Sequence, residues 1–192
     1  MGKVAIFGGS FDPVHKAHLQ IAQLALQCFD LKKIVFVISS ISPHKTEYYA
    51  KLENRISMLK LVTKDMQRTD LSLYEAQRQK IGYSYQTLDY FHSLYPTDEI
   101  CMIIGSDSLL SLPTWKNIDY LVKQYRFIVA KRPKIKINKD TKYLDRCVFI
   151  DKVIQDVSST QIRTLIKEDS TKVTSFLDKN VYAYIIQNGL YR

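Results

Sequence analysis

Two histidines at the predicted start of a helix are the residues of this sequence best suited by type and spacing to do chemistry. His15 and His18 follow an apolar segment at residues 3–7 and the pair Gly8 and Gly9. Residues three apart share one face of a helix, so both rings would point at whatever lies above the glycines. A helix N-terminus offers N–H groups without a helical partner and the positive end of a dipole, both of which favour phosphate.

The two glycines are expected to form a tight turn between a strand and this helix. Glycine adopts backbone angles that are barred to larger residues, and it lets a ligand approach the chain closely. Asp12, just ahead of Pro13, is interpreted as a structural residue that braces this turn. The His15/His18 pair is also a conceivable zinc site, but no third or fourth ligand is obvious and the sequence has no CxxC, so no protein-bound metal is predicted.

A second segment near the C-terminus predicts another phosphate cradle. Ser158 and Ser159 open a helical pattern that places Arg163 in its second turn. Two such cradles in one small domain predict a nucleotide whose phosphates are held from both sides. The plainer alternatives stay open, because serine at a helix start is commonly an N-cap and a lone helix arginine is commonly exposed.

Composition predicts a single enzyme-sized domain spanning residues 1–192. The chain is 46% hydrophobic, enough for one sizeable core. It has no apolar run long enough to cross a bilayer, and its first residues lack a signal-peptide arrangement, so no membrane association is expected. The three cysteines lie in apolar patterns and are expected to be reduced core residues of a cytoplasmic protein.

The net charge of +9 raises the possibility of nucleic-acid binding. The densest basic cluster is at residues 131–136, but no RNA-binding aromatic signature or zinc finger accompanies it. A basic surface also steers anionic nucleotides to a site, and most single lysines simply keep a surface solvated. We therefore expect no nucleic-acid partner, and an RNA-binding basic domain remains the alternative from another functional class.

Apolar runs and helical patterns alternate along the chain, which predicts an α/β fold with a doubly wound parallel sheet. The ligand should lie at the carboxyl ends of the strands, where Gly8, Gly105 and the loop containing Lys45 fall. The sequence contains none of the P-loop, dinucleotide-fingerprint or GxSxG patterns. Strands are predicted at 4–7, 34–38, 71–74, 100–104, 126–130 and 148–150, and helices at 16–29, 52–66, 85–94, 159–167 and 181–187.

Seven segments occur in the order found in one enzyme family. The segment GGSFDPVHKAH at residues 8–18 resembles the (H/T)xGH signature of the nucleotidyltransferase superfamily, and VSSTQIR at 157–163 resembles its ISSTxxR motif. Between them lie SPHK at 42–45, YSYQTL at 83–88, IIGSDSL at 103–109, LPTW at 112–115 and KRP at 131–133. In this order they resemble the bacterial nicotinate-nucleotide adenylyltransferases, over nearly the whole chain.

The resemblance implies a single Rossmann-like domain of the nucleotidyltransferase type and a specific reaction. The chain would join ATP and nicotinate mononucleotide into nicotinate adenine dinucleotide, releasing pyrophosphate, as a step in making NAD. Mg²⁺ would be carried with ATP rather than held in a dedicated protein cage. Acceptors such as nicotinamide mononucleotide or phosphopantetheine, and a cytidylyl donor, stay open as alternatives, as does a homo-oligomer.

The resemblance also implies which residues bind and react. Catalytic roles fall to His15, His18, Lys45 and Arg163. The chain departs from the family pattern at Ala17, usually glycine, and at Lys116, usually a second aromatic residue after the tryptophan. The implied ATP-binding residues are Gly8, Gly9, Ser10, Phe11, His15, His18, Gly105, Asp107, Ser158, Ser159 and Arg163. The implied residues for nicotinate mononucleotide are Lys45, Thr87 through its backbone N–H, Trp115 by stacking, Lys116 and Arg132.

Overall fold

A parallel β-sheet organises the chain. The computed structural model describes residues 2–41, 48–78, 80–133, 135–152 and 154–192. The sheet strands in that part are β1 (Lys3–Gly9), β2 (Lys33–Ile38), β3 (Thr69–Ser72), β4 (Glu99–Gly105), β5 (Arg126–Ala130) and β6 (Cys147–Ile150). They pair in the order β3-β2-β1-β4-β5-β6, and all neighbours are parallel. The α/β prediction is confirmed.

Helices cover both faces of this sheet, because its strands are apolar on both sides. Along β1, Val4 and Ile6 belong to one hydrophobic cluster while Ala5 and Phe7 belong to the other. The chain therefore folds as a doubly wound sheet with a core on each face. The helices are α1 (Lys16–Cys28), α2 (Leu52–Thr63), α3 (Tyr74–Arg78), α4 (Ser84–Leu94), α5 (Ser106–Ser111), α6 (Ile118–Gln124), α7 (Ser159–Lys167) and α8 (Lys179–Gln187), with short 3-10 turns at Leu112–Thr114, Leu144–Arg146 and Thr171–Ser175.

The strand order creates one topological switch point, between β1 and β4. From β1 the chain moves outward through β2 and β3, then returns to the other side of β1 and continues outward to β6. The connections that follow β1 and β4 therefore leave in opposite directions. In open α/β sheets such a divergence opens a crevice at the carboxyl ends of the two strands.

Local assignments failed where elements are short. The third strand was predicted at 71–74 but runs Thr69–Ser72, and Tyr74 instead begins α3. The predicted helices do not include α3, α5 or α6, because five to seven residues are too few to establish helical periodicity. The core position expected for Cys28 is wrong, since it is exposed at the end of α1, whereas Cys101 is buried and Cys147 is partly buried. Within the described ranges, no helix has the length and apolar character needed to span a membrane.

The glycine turn was also predicted wrongly, in a way that shows what Gly9 does. Gly8 and Gly9 remain in β1, paired with Val37 and Ile38 of β2. The left-handed backbone falls instead on Phe11, with φ of 47°. That conformation folds the Phe11 ring back so that a Cβ on Gly9 would lie 3.0 Å from it. Gly9 is needed for this close packing rather than for a turn.

We predict that Gly9→Ala lowers the free energy of unfolding by about 1–3 kcal/mol, the usual cost of overpacking. The Phe11 ring cannot yield easily, because it is buried against Phe7 and Phe36. Urea denaturation of the purified variant measures the effect. Gly8→Ala is the matched control, since its added methyl would lie at an ordinary 3.5 Å from Met102 Cε. Equal stability of the two variants would contradict the packing role of Gly9.

Candidate active site

A cleft of about 460 Å³ opens at the switch point. Its walls come from the ends of β1, β4 and β5, the start of α1, the approach to α4 and the segment before α7. Ten of the residues implied by the sequence line it: Gly8, Gly9, Ser10, His15, His18, Gly105, Asp107, Trp115, Lys116 and Arg132. Phe11, Thr87, Ser158, Ser159 and Arg163 do not, and Lys45 lies outside the described residues.

The two histidines form one rigid unit at the start of α1. His15 is the N-cap residue, His18 is in the first turn, and their rings stack with centroids 3.7 Å apart. The backbone N–H of His15 donates to His18 Nδ1 at 3.2 Å. Because a neutral imidazole that accepts at Nδ1 carries its proton on Nε2, His18 has an N–H donor of fixed orientation. The Phe11 ring packs edge-on against His18 at 5.1 Å and holds it there.

His15 is kept neutral by its surroundings. It is almost fully buried, and its Nδ1 has no hydrogen-bond partner among the described residues. Burial, with a smaller contribution from the positive charge of Arg132, lowers the pKa of His15 from 6.5 to about 3. The unfolded chain therefore takes up this proton first, so the histidine reduces the stability of the fold as pH falls from about 6.5 towards 3.

Asp107 and Arg132 face each other across the ends of β4 and β5. Arg132 Nε lies 3.3 Å from Asp107 Oδ1, and the Arg132 backbone N–H donates to the Ser106 hydroxyl at 3.0 Å. The Asp107 carboxylate folds back over Gly105 so closely that a Cβ there would overlap Oδ1. Gly105 thus leaves room for a carboxylate at the mouth of the cleft.

Trp115 and Lys116 form another part of the cleft wall. Trp115 follows the 3-10 turn Leu112–Thr114 and its side chain is half-buried, whereas Lys116 is exposed. The ring can offer a flat apolar surface to a ligand, and the ammonium can offer a positive charge. The structure thus brings these two residues to the cleft, as their position in the sequence predicted.

Thr87, the expected backbone donor, lies near the start of α4. Its N–H donates to the Tyr83 carbonyl at 3.2 Å inside α4, and its hydroxyl donates to Glu75 Oε1 at 2.7 Å. The N–H groups at the start of a helix are those without a helical acceptor, and Ser84, the first residue of α4, is at such a position in the cleft wall.

The C-terminal cradle binds the segment between β1 and α1 instead of lining the opposite wall. Ser159 donates its hydroxyl to the Pro13 carbonyl at 3.0 Å. Arg163 Nη1 donates to the Asp12 carbonyl at 2.8 Å, and its guanidinium lies 3.9 Å from the centre of the Tyr49 ring. Ser158 accepts from the Gln161 N–H, which is the N-cap role left open above. In this structure the two predicted cradles are one connected unit.

Sequence reasoning identified Asp12 as structural but missed its partners. Asp12 Oδ2 accepts from the Tyr49 N–H at 2.8 Å, and Oδ1 accepts from the Ala50 N–H at 3.1 Å and from the Tyr191 hydroxyl at 2.7 Å. Burial and the adjacent carboxylate raise the pKa of Tyr191, so its hydroxyl stays a donor. Pairing across such sequence distances leaves no local pattern that could have revealed it.

Arg55 is a second residue that the sequence did not single out. It lies on α2 and is 1% exposed, although arginine in a helix is usually on the surface. Its Nη1 donates to the carbonyls of Ser10 at 2.9 Å and Ser39 at 2.7 Å, tying together the ends of β1 and β2. Burial lowers the pKa of Arg55, and the Tyr48 ring packs 4.0 Å from the guanidinium carbon.

Comparison with known proteins assigns the family. A family model described as cytidylyltransferase-like matches residues 6–165. The probable nicotinate-nucleotide adenylyltransferase of Endomicrobium trichonymphae is 66% identical over 193 residues, covering 100% of both chains. The chain belongs to the nicotinate-nucleotide adenylyltransferase family, within the cytidylyltransferase-like proteins. As a member it is a nucleotidyltransferase, and the Clostridium tetani relative with the same name is 33% identical over 201 residues and 100% of both chains.

Solved structures show that the nucleotidyltransferase fold is shared. Plasmodium falciparum nicotinic acid mononucleotide adenylyltransferase complexed with NaAD superposes with a TM-score of 0.86, at 21% identity, over 100% of this chain and 98% of that one. A structure described as a putative nicotinate-nucleotide adenylyltransferase from Vibrio parahaemolyticus superposes with a TM-score of 0.72 at 18% identity, covering 100% and 96% of the two chains. The Rossmann-like architecture expected from the sequence is therefore confirmed.

We predict that Tyr191→Phe lowers the free energy of unfolding by about 1–3 kcal/mol, because it deprives a buried carboxylate of one donor. Chemical denaturation followed by circular dichroism gives the value. Tyr182→Phe, on α8, is the control: the described residues offer its hydroxyl no partner, so we expect a change within about 0.5 kcal/mol. A Tyr191→Phe protein as stable as the control would show that Asp12 does not need the bond.

Proposed function

We propose that this nucleotidyltransferase transfers the adenylyl group of ATP to nicotinate mononucleotide, forming nicotinate adenine dinucleotide and pyrophosphate in NAD biosynthesis. The observation that carries the proposal is the stacked His15–His18 pair at the switch-point cleft, in a chain 66% identical from end to end to a probable nicotinate-nucleotide adenylyltransferase. The full-length match extends to both walls of the cleft, so it covers the donor and the acceptor ends alike.

The reaction needs positioning more than acid–base chemistry. The acceptor's phosphate is largely dianionic at neutral pH, because the second pKa of a phosphomonoester is about 6, so no general base is required. One of its oxygens attacks the α-phosphorus of ATP, the bond from that phosphorus to the bridging oxygen of the β-phosphate breaks, and pyrophosphate leaves with the electron pair. The protein must hold two polyanions in line and stabilise charge on the phosphoryl oxygens.

The histidine pair supplies donors for the phosphates. His18 would donate its Nε2–H to the α-phosphate, where charge develops in the transition state, and neutral His15 would bind the ATP phosphates beside it. The backbone of Gly8, Gly9, Ser10 and Phe11 would approach the nucleotide at the end of β1. Gly105 and Asp107 would contact the adenosine, with the Asp107 carboxylate accepting from ribose hydroxyls.

The remaining implied residues divide between the triphosphate and the acceptor. Ser159 and Arg163 would act on the triphosphate end through the Pro13 and Asp12 carbonyls that they bind, and Arg163 also by direct charge. Ser158 would act there as the N-cap residue of α7. At the acceptor end, Trp115 would stack on the pyridine ring, while Lys45, Lys116 and Arg132 would attract its negative groups. The start of α4 at Ser84 takes over the N–H role first expected of Thr87.

Mg²⁺ would enter as part of the MgATP substrate, neutralising phosphate charge. Among the described residues, no three histidine, cysteine or carboxylate side chains cluster as a metal site would require. Magnesium commonly keeps several waters and binds through substrate phosphates, and the side chains that line the cleft fit that mode of binding. A cytoplasmic location completes the proposal, and a homo-oligomer stays an open alternative.

The proposal is tested by pyrophosphate release from ATP against a panel of acceptors. Nicotinate mononucleotide, nicotinamide mononucleotide and phosphopantetheine are compared at equal concentration, with CTP replacing ATP in a parallel series. We expect the nicotinate acceptor with ATP to give the highest kcat/KM. Higher turnover with another acceptor or donor would replace the assignment, while no turnover with any of them, together with salt-dependent RNA binding, would favour the basic-domain alternative.

We predict that His18→Ala lowers kcat by about 10²–10³-fold, the typical loss for one donor aimed at transition-state charge. Binding of either substrate should weaken far less. Steady-state kinetics with both substrates separate the two effects. His92→Ala, on the exposed last turn of α4, is the control and should keep full turnover. Near-normal kcat in His18→Ala would remove this histidine from the chemistry.

We predict at least about a tenfold preference for nicotinate over nicotinamide mononucleotide in kcat/KM, about 1.4 kcal/mol of differential stabilisation. The two rings differ mainly in the charge of their substituent, so shape alone cannot separate them. Lys116→Ala should reduce the preference if the ammonium contacts the ring carboxylate. Lys123→Ala, an exposed lysine of α6, is the matched control. Unchanged selectivity in Lys116→Ala would assign the preference to Ser84 and its neighbours.

A further inference from the structure

Glu75 is a carboxylate at the acceptor end of the cleft that the proposed chemistry does not use. It lies on α3, lines the cleft with Ser39, Gly82 and Ser84, and is mostly withdrawn from solvent. Burial raises the pKa of Glu75 despite opposing hydrogen bonds from Thr87 and Ser39. Burying a carboxylate in a cleft proposed to bind anionic substrates costs free energy. We therefore expect Glu75 to have a specific role there.

The bonds of Glu75 join three segments around that end of the cleft. Its Oε1 accepts from the Thr87 hydroxyl at 2.7 Å, which connects α3 to α4. Its backbone carbonyl accepts from the Ser40 hydroxyl at 2.9 Å, which connects α3 to the end of β2. Glu75 is therefore the common partner of residues that are far apart in the chain.

The carboxylate also sets the approach of the chain to α4. A Cβ on Gly82 would lie only 2.6 Å from Glu75 Oε2, so the backbone before α4 passes directly against this group. The Gly82 N–H donates to the Ile41 carbonyl at 3.0 Å, which fixes the same turn from the other side. Gly82 is thus packed between Ile41, three residues beyond the end of β2, and the Glu75 carboxylate.

Neutralising a cation does not explain Glu75. The positive charge of Arg78 lowers its pKa less than its hydrogen bonds do, and the Arg78 guanidinium donates to the Tyr74 hydroxyl. Within the described segments, the side-chain hydrogen bonds of Glu75 go to hydroxyls on elements that border the acceptor end. Such bonds define distance and direction, which ion pairs on flexible side chains do less well.

We propose that Glu75 is a positioning residue for the acceptor: through its bond to Thr87 and its contact with Gly82, it holds the first turn of α4 where that turn meets the pyridine-ring substituent. The inference rests on the proposed function, because it assumes that nicotinate mononucleotide occupies this end. Thr87 then acts without contacting the substrate, because its hydroxyl on α4 donates the hydrogen bond to Glu75.

The decisive experiment is Thr87→Val, which removes the hydroxyl at nearly constant size, together with Glu75→Ala. We expect each to raise the KM for nicotinate mononucleotide by about tenfold or more, the size expected for losing a buried hydrogen bond to a carboxylate. The KM for ATP should change by less than about twofold, because the ATP end has no part in the Thr87–Glu75 hydrogen bond. Thr87→Ser, which keeps the hydroxyl, should restore the acceptor KM.

Tyr120→Phe provides the matched control. It also removes a hydroxyl–carboxylate bond to α4, from Tyr120 to Asp89 Oδ1 at 2.9 Å, but both residues lie outside the cleft wall. Its kinetics should equal those of the wild type. Urea denaturation is run on every variant, and if Glu75→Ala does not fold, Thr87→Val and Thr87→Ser decide the matter alone.

The outcomes separate this inference from the proposed function. A wild-type protein that does not use nicotinate mononucleotide refutes the proposed function itself. A wild type that uses it, with an unchanged acceptor KM in Thr87→Val, refutes only the role of Glu75. Equal increases in the KM values for nicotinate mononucleotide and ATP, or a similar effect in Tyr120→Phe, would also overturn the proposal. Either result would show that the Thr87–Glu75 hydrogen bond only stabilises the fold.

Discussion

The buried carboxylate of Asp12 is the interaction on which the site most depends. A carboxylate withdrawn from water costs several kcal/mol unless its oxygens are satisfied, and here two backbone N–H groups and the Tyr191 hydroxyl satisfy them. These donors come from the chain before α2 and from the C-terminus. The connection between β1 and α1, which leads to the histidines, is therefore stabilised by two regions that are distant from it in the chain.

The same connection joins the two motifs that resemble nucleotidyltransferase signatures. Arg163 and Ser159 bind the carbonyls of Asp12 and Pro13, directly ahead of His15. Helix α7, which was expected to face the segment 8–18 across a nucleotide, instead binds the backbone of that segment directly. The proposed catalysis by fixed donors needs such support, because a donor stabilises transition-state charge only if it need not reorient during the reaction. The stacked imidazoles and the His15 N–H to His18 bond are the result of that support.

Sequence reasoning located the cleft but assigned the wrong atoms at several positions. The apolar runs of β1, β2, β4 and β5 were recognisable because strands buried on both faces are continuous apolar segments. Gly9 was predicted to make a turn, yet it packs under Phe11. Thr87 was predicted to donate from its backbone, yet that N–H is inside α4. In both cases the residue type was informative, but its atomic role depends on neighbours distant in the chain.

The sequence alone predicts the fold class and the candidate residues, because strand and helix patterns and short motifs depend on nearby residues. It also placed Trp115 and Lys116 together, since adjacent residues on one loop reach the same cleft. Three features depend on how the chain packs: the donors that meet the buried Asp12 carboxylate, the burial that lowers the pKa of His15, and the hydrogen bond from Thr87 to Glu75 that connects α4 to α3. Burial and long-range pairing are properties of the packed chain, where polar groups taken from water must find partners wherever the fold provides them.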